Sequence, residues 1–142
     1  MKMQSGVNMS NVFIKSDGGY AQSGFQVRKK IGNCVPRAIA HALNKPYKDV
    51  WNDLFDLGKA NGLFPNQESL YEMYIKQHGW KKMKPQRTPG GRLRKLKYFQ
   101  CKNMTALVRT RKHLVCVKDG KILDTWNSGR YAACSYYIKE DQ

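Results

Sequence analysis

Asp119-Gly120 stands between two apolar runs, Leu114-Val115-Cys116-Val117 and Ile122-Leu123, and no other feature restricts the fold of this chain as tightly. A two-residue Asp-Gly loop closes an antiparallel hairpin, because both loop residues take positive φ and so match the twist of the strands they join. The loop also sets the register. Lys118 faces Lys121, Val117 faces Ile122 and Val115 faces Asp124. Carried outward, His113 comes to lie opposite Trp126 and on the same face as Asp124. Diagonal neighbours of that kind are roughly 7–8 Å apart at the backbone, within reach of aromatic or long side chains. Asn127 points to the other face in this register, but one bulge would exchange the two, so Asn127 remains a rival of Asp124.

The hairpin belongs to a β-rich half. Ala106–Thr110, His113–Val117, Lys121–Trp126 and Tyr131–Ile138 have strand composition. The preceding residues are helical in pattern. A first helix is expected to open at Gly32-Asn33-Cys34, with Asn33 as N-cap and Pro36 tolerated in the first turn. Ala38, Ile39, Ala42 and Leu43 form its apolar stripe, and Asn44-Lys45 before Pro46 end it. A second helix is expected from Tyr47 to Lys59 and a third from Gln67 to Gln77. There His78 complements the negative helix end and Gly79 takes the left-handed cap. Trp80–Met83 reads as a short strand and Lys84–Lys97 as a loop. Helices followed by antiparallel strands indicate an α+β domain. Residues 1–24, rich in Ser, Gly, Asn and Gln, read as a flexible arm with a short strand at Asn11–Lys15, which leaves 25–142 as the domain.

A chain of 142 residues with 41% apolar content can bury a core. It has no run of roughly 20 apolar residues to cross a bilayer, and Met1–Ser10 lacks the apolar segment of a secretory signal. These features argue for the cytoplasm, without a membrane partner. The four cysteines show no C-x-x-C spacing, so no metal is expected, and in a reducing compartment they remain thiols. Cys116 and Cys134, set in apolar runs, are expected to be buried and inert. The net charge is +16, and no acidic residue lies between Glu72 and Asp119 although Lys and Arg recur throughout. That stripe suits an anionic partner: an acidic protein or peptide, or nucleic acid bound through residues 76–112. Lys and Arg interleave with Tyr98 and Phe99 around residues 92–102, a composition suited to a polyanion contact. A solvated face is the bland alternative.

A thiol acts as a nucleophile in its thiolate form, which a helix N-terminus stabilises. Cys34 is the cysteine expected at such a position. A base must lie within hydrogen-bond reach, with a third group to hold it. Of the three histidines, His41 is seven residues along the same helix, roughly 10 Å at 1.5 Å per residue, and cannot reach the thiol. His78 is explained by capping. His113 remains, with Asp124 as the group to hold it, although a structural hydrogen bond between strands would account for that pair equally well.

The segments Asn33-Cys34-Val35-Pro36-Arg37-Ala38-Ile39-Ala40 and Lys45-Pro46-Tyr47-Lys48-Asp49-Val50 resemble the opening of small papain-like cysteine peptidases. His113-Leu114-Val115-Cys116-Val117, Asp119-Gly120 and Leu123-Asp124-Thr125-Trp126 resemble their closing hairpin. The resemblance is to the peptidase domain that processes bacteriocin leaders and to similar small proteins encoded by bacteriophages, and it spans roughly residues 25–138. It implies a papain-like α+β fold and a thiol hydrolase that cuts a peptide or isopeptide bond without a cofactor. Cys34 would attack the carbonyl, His113 would move the proton and Asp124 would orient the imidazole. The family also carries a glutamine shortly before the cysteine as an oxyanion donor. Here the position six residues upstream is Arg28, so Gln26 is the candidate, with Gln22 and Asn33 as alternatives. Amidases and acyltransferases share this constellation. A catalytically silent module of the same fold, binding an acidic protein or nucleic acid through its basic surface, is the competing expectation.

Overall fold

Asp119 and Gly120 both adopt positive φ, 45° and 78°, the backbone that a two-residue hairpin loop demands. The flanking strands pair as the loop dictates, Lys118 with Lys121, Val117 with Ile122 and Cys116 with Leu123. The ladder stops there, one pair short of Val115 and Asp124. The second strand ends at Asp124 rather than Trp126, which frees the chain beyond it to turn back over His113.

The computed structural model describes residues 10–28 and 31–141. Its strands are β1 (Val12–Lys15), β2 (Trp80–Met83), β3 (Thr105–Arg109), β4 (Leu114–Lys118), β5 (Lys121–Asp124) and β6 (Ser135–Lys139). Its helices are α1 (Cys34–Leu43), α2 (Tyr47–Asn61) and α3 (Glu68–Gln77). The strands form one sheet in the order β1-β5-β4-β3-β6-β2, antiparallel except for the β1–β5 pair. The α+β class is thus as expected. No helix among the described residues is long and apolar enough to cross a membrane.

Strand alternation splits the apolar residues between two cores. Val35, Ile39, Val50, Leu54, Tyr71 and Ile75 of the helices pack on Leu107, Leu114, Cys116 and Tyr137. On the other face Ala106, Val108, Val115, Val117 and Ile122 meet Leu96, Phe99, Cys101 and Ala133, which come from irregular segments. The helix ends follow local chemistry. Asn44 takes the left-handed conformation after α1 and Gly62 does so after α2. The His78 ring nitrogen Nδ1 lies 3.0 Å from the Tyr74 carbonyl that it caps, and Gly79 is left-handed at φ 84°.

Three expectations need correction. Residues 10–24 are not a loose arm: β1 extends the sheet beside β5, and Tyr20 is buried against Tyr47. Gly18 makes that packing possible, since at φ 67° a Cβ there would lie 2.7 Å from the Arg37 carbonyl oxygen. The division at residue 24 therefore does not hold for these residues, while residues 1–9 lie outside those described. The strand expected over Tyr131–Ile138 begins only at Ser135. Its first part leaves the ladder to cover the second core, with Ala133 N–H donating to the Arg94 carbonyl at 2.8 Å. Cys134, expected to be buried, is partly exposed.

Candidate active site

Cys34 is the first residue of α1, so its sulfur stands at the positive end of the helix dipole. Asn33 occupies the N-cap position, but its side chain makes no cap bond. Its amide donates instead to the Tyr47 hydroxyl at 3.1 Å, and its carbonyl oxygen accepts from the Arg37 guanidinium. The expected cap is thus replaced by a buried polar link between α1 and α2. The first-turn amides of α1 keep no side-chain partner from Asn33, and Pro36 contributes none.

His113 immediately precedes β4 on the central strand pair. Its carbonyl accepts from Thr110 N–H at 2.8 Å, which fixes the tight connection from β3. The imidazole Nε2 lies 2.7 Å from Asp124 Oδ2. The Trp126 indole lies over the same ring, with centroids 5.1 Å apart and planes 32° from parallel. The register read from the Asp-Gly turn thus brings His113 to both Asp124 and Trp126, although the ladder itself ends earlier.

Asp124 is only 3% exposed, and a buried carboxylate must be fully partnered. Ser128 donates to Oδ2 at 2.8 Å, and the Thr125 N–H donates to Oδ1 at 2.8 Å. Arg37 approaches Oδ1 at 3.5 Å. Burial alone would raise the carboxyl pKa, but the bond to His113 and its charge, with Ser128 and Thr125, hold it below the ordinary range. Asn127, the rival, is exposed and accepts from Gly129 N–H at 3.0 Å within a turn.

Cys34 and His113 line one cleft, and the imidazole and the Leu114 backbone amide are the groups that act most strongly against burial at the thiol. With Nε2 held by Asp124, Nδ1 is the ring nitrogen left for sulfur. Burial pushes the thiol up, yet the imidazole, the Leu114 amide and the charges of His113 and Arg37 bring it below an ordinary thiol. Burial pushes His113 the other way, and its bond to Asp124 together with the influence of the Cys34 thiol raises it to about 9. Both directions favour a thiolate–imidazolium pair near neutral pH.

Comparisons of the chain with family models, with curated proteins and with solved structures returned no match. The chemistry of the site therefore rests on its own residues. Cys34 and His113 share a cleft of about 330 Å³ with Gly32, Asn66, Glu68, Tyr71, Arg109, Arg111 and Lys112 among its walls. Along one wall the Tyr137 hydroxyl lies 2.6 Å from Glu68 and 2.7 Å from Glu72, and Arg109 pairs with Glu68 at 3.3 Å. Arg111 and Lys112 are exposed and pair with no carboxylate among the described residues.

Gln26 is not brought into this cleft. Its side chain is exposed and accepts from Arg28 at 3.3 Å, and its carbonyl accepts from the Tyr20 hydroxyl. Asn66 is the side-chain amide that does line the cleft. His41 sits 3.0 Å from Ser16 Oγ and is lowered by burial, apart from the thiol. No cluster of His, Cys, Asp and Glu among the described residues could hold a metal ion. Ser128 and Arg37 escaped sequence reasoning. Arg37, one turn beyond Cys34 on the same helix, carried a signal in its spacing, whereas Ser128 carried none.

Proposed function

We propose that this chain is a thiol hydrolase of the papain-like kind, a cysteine peptidase acting on a peptide or isopeptide bond. The observation that carries the proposal is one imidazole between two groups: Nε2 bound to buried Asp124 at 2.7 Å, and the ring lining the same cleft as Cys34 at a helix start. A purely structural His–Asp bond between strands would not require a lowered thiol on the remaining side of the ring.

In this reading the Cys34 thiolate attacks the substrate carbonyl carbon and pushes the carbonyl electrons onto oxygen. The uncapped amides at the start of α1 face the developing oxyanion, and Asn66 is the candidate second donor in place of Gln26. His113 gives its proton to the leaving amine as the C–N bond breaks and a thioester forms. It then takes a proton from water as water attacks, and the acid product leaves. Asp124 keeps the ring oriented and favours the imidazolium. The unpaired Arg111 and Lys112 on the rim suit an acidic side chain next to the bond being cut.

The competing reading, a catalytically silent module, draws on the position of Gln26 away from the cleft. Turnover separates the two. A panel of fluorogenic peptides with acidic and neutral flanking residues should be cut by the wild-type chain and not by Cys34→Ala. If purified Cys34→Ala cuts as fast as wild type, or if wild-type Cys34 alkylates no faster than Cys101, the hydrolase reading falls.

A further inference from the structure

The segment from Arg94 to Lys102 crosses the face of the sheet opposite Cys34 and has no regular strand or helix beyond the 3₁₀ turn Leu96–Tyr98. Its apolar residues Leu96, Phe99 and Cys101 are all buried in the second core, at 0%, 1% and 2% exposure. Its backbone is tied down at several points. The Asn11 side-chain amide donates to the carbonyls of Leu96 and Phe99, both at 2.7 Å. The amides of Leu96 and Lys97 donate to the carbonyls of Tyr131 and Gly129, both at 2.8 Å. Anchoring the apolar positions turns the others outward. Lys95, Lys97, Tyr98 and Lys102 are exposed on a fixed frame.

Two grooves meet at this frame. One, of about 530 Å³, runs past Arg94, Tyr98, Gln100 and Lys102. The other, of about 390 Å³, runs past Lys95, Lys97, Asn127 and Arg130. Asn11 and Tyr98 border both, and Tyr98 is 45% exposed. The Lys97 ammonium lies 5.6 Å from the Tyr98 ring centroid, and the Arg130 guanidinium lies 5.1 Å from that of Tyr131. None of Arg94, Lys95, Lys97, Lys102 and Arg130 pairs with a carboxylate among the described residues. The one acid lining either groove, Asp119, accepts from the Asn103 backbone N–H at 2.8 Å.

From this we infer that the face opposite Cys34 is a binding surface for a single-stranded polynucleotide. The cations track its phosphates, and Tyr98, at the junction of the grooves, stacks on a base. An anchored basic groove with an exposed aromatic ring fits an unpaired strand, since stacking tolerates any base and phosphate contacts need no sequence. A duplex offers no unstacked base to Tyr98, and the acidic side chains of a polypeptide carry no flat ring, whereas every nucleotide of an unpaired strand does. The inference is independent of the hydrolase reading because none of its residues lines the Cys34 cleft.

Fluorescence anisotropy with fluorescein-labelled 15-mers of deoxythymidine and of uridine tests it, across a salt series, with a duplex of equal length and poly-L-glutamate as competitors. Both strands should bind in low salt. Each of Lys95→Gln and Lys97→Gln should lower the salt slope by about 0.7. Tyr98→Ala should weaken binding roughly tenfold while Tyr98→Phe retains it. Cys34→Ala should leave the affinity unchanged, and the surface variants should keep the wild-type rate of Cys34 alkylation, which reports an intact fold. Preference for the deoxy or ribo strand assigns the kind of polynucleotide. No binding in low salt overturns the inference. So does indifference to Tyr98→Ala, or displacement by poly-L-glutamate as effective as by unlabelled strand, which would make the surface a general polyanion or acidic-protein site.

Discussion

Cys34 and Cys116 lie on the same side of the same sheet and pack into the same core, yet their thiols are driven in opposite directions. Burial raises both. For Cys116, inside β4, almost nothing opposes it, and the thiol is pushed up to about 12. Cys101, below the second face, reaches about 11 for the same reason despite nearby backbone amides. At Cys34 the His113 ring, the Leu114 amide and the Arg37 charge outweigh burial, and the thiol falls below its ordinary value of 9.0. Burial is thus common to all three thiols, and position beside a held imidazole is what sets Cys34 apart. A cysteine in a strand has its neighbours already paired in the ladder, whereas one at a helix start meets unpaired amides.

The widest separation should appear in thiol chemistry. At pH 7 Cys34 should react with iodoacetamide roughly a thousandfold faster than Cys116, because thiolate fraction and access both favour it. Site-resolved mass spectrometry of the alkylated chain measures this, and similar rates at the two sites would break the contrast. Next in size, His113→Ala should slow Cys34 alkylation about a hundredfold at pH 7 and move its pH midpoint up toward an ordinary thiol. An unchanged midpoint would mean that the helix start alone activates the sulfur.

Asp124→Asn should have a smaller effect, about tenfold on alkylation, because the amide still hydrogen-bonds the ring but removes the charge that favours imidazolium. The same pair governs stability against pH. His113 is raised from 6.5 to about 9, so its contribution is complete below 6.5 and is lost as pH rises through 9. Asp124 is lowered from 3.8, so its contribution is present above 3.8 and is lost as pH falls through its folded value. Thermal melts from pH 2 to 10 should show a plateau between these limits, and Asp124→Asn should flatten both edges.

The smallest effect is expected for Ser128→Ala, which removes a fully buried hydroxyl from Asp124 and should cost about 1–2 kcal/mol in urea unfolding. It should change Cys34 alkylation by less than about threefold, since Thr125 N–H, Arg37 and His113 still hold the carboxylate. A larger kinetic change than that of Asp124→Asn would make Ser128, rather than the carboxylate charge, the group that positions the ring.

Much of the site was legible because it rests on local chemistry. Cys34 follows from the start of a helix that Gly32-Asn33 open and Asn44 and Pro46 close. His113 and Asp124 follow from counting outward from a turn whose residues accept positive φ. What was not legible depended on distant chain. Asn33 looks like an N-cap by residue type, but its amide is taken by Tyr47, fourteen positions away in sequence. Residues 10–24 look like linker by composition, yet Asn11, Gly18 and Tyr20 each meet a partner far along the chain. Gln26 is the candidate by its nearness to Cys34 in sequence, but its side chain is exposed and bound to Arg28 and does not line the cleft.

By itself the sequence determined the helix and strand order, the hairpin register and the candidate Cys–His–Asp set. Each follows from periodicity, turn geometry or capping within a few residues. Only the tertiary structure decided that Asp124 is charged and partnered in a buried place, that Arg37 and Ser128 help to hold it, and that the basic segment near Tyr98 is a fixed surface on the far face. Those outcomes depend on which groups lose water together, and burial is a property of packed elements that no local stretch of sequence carries.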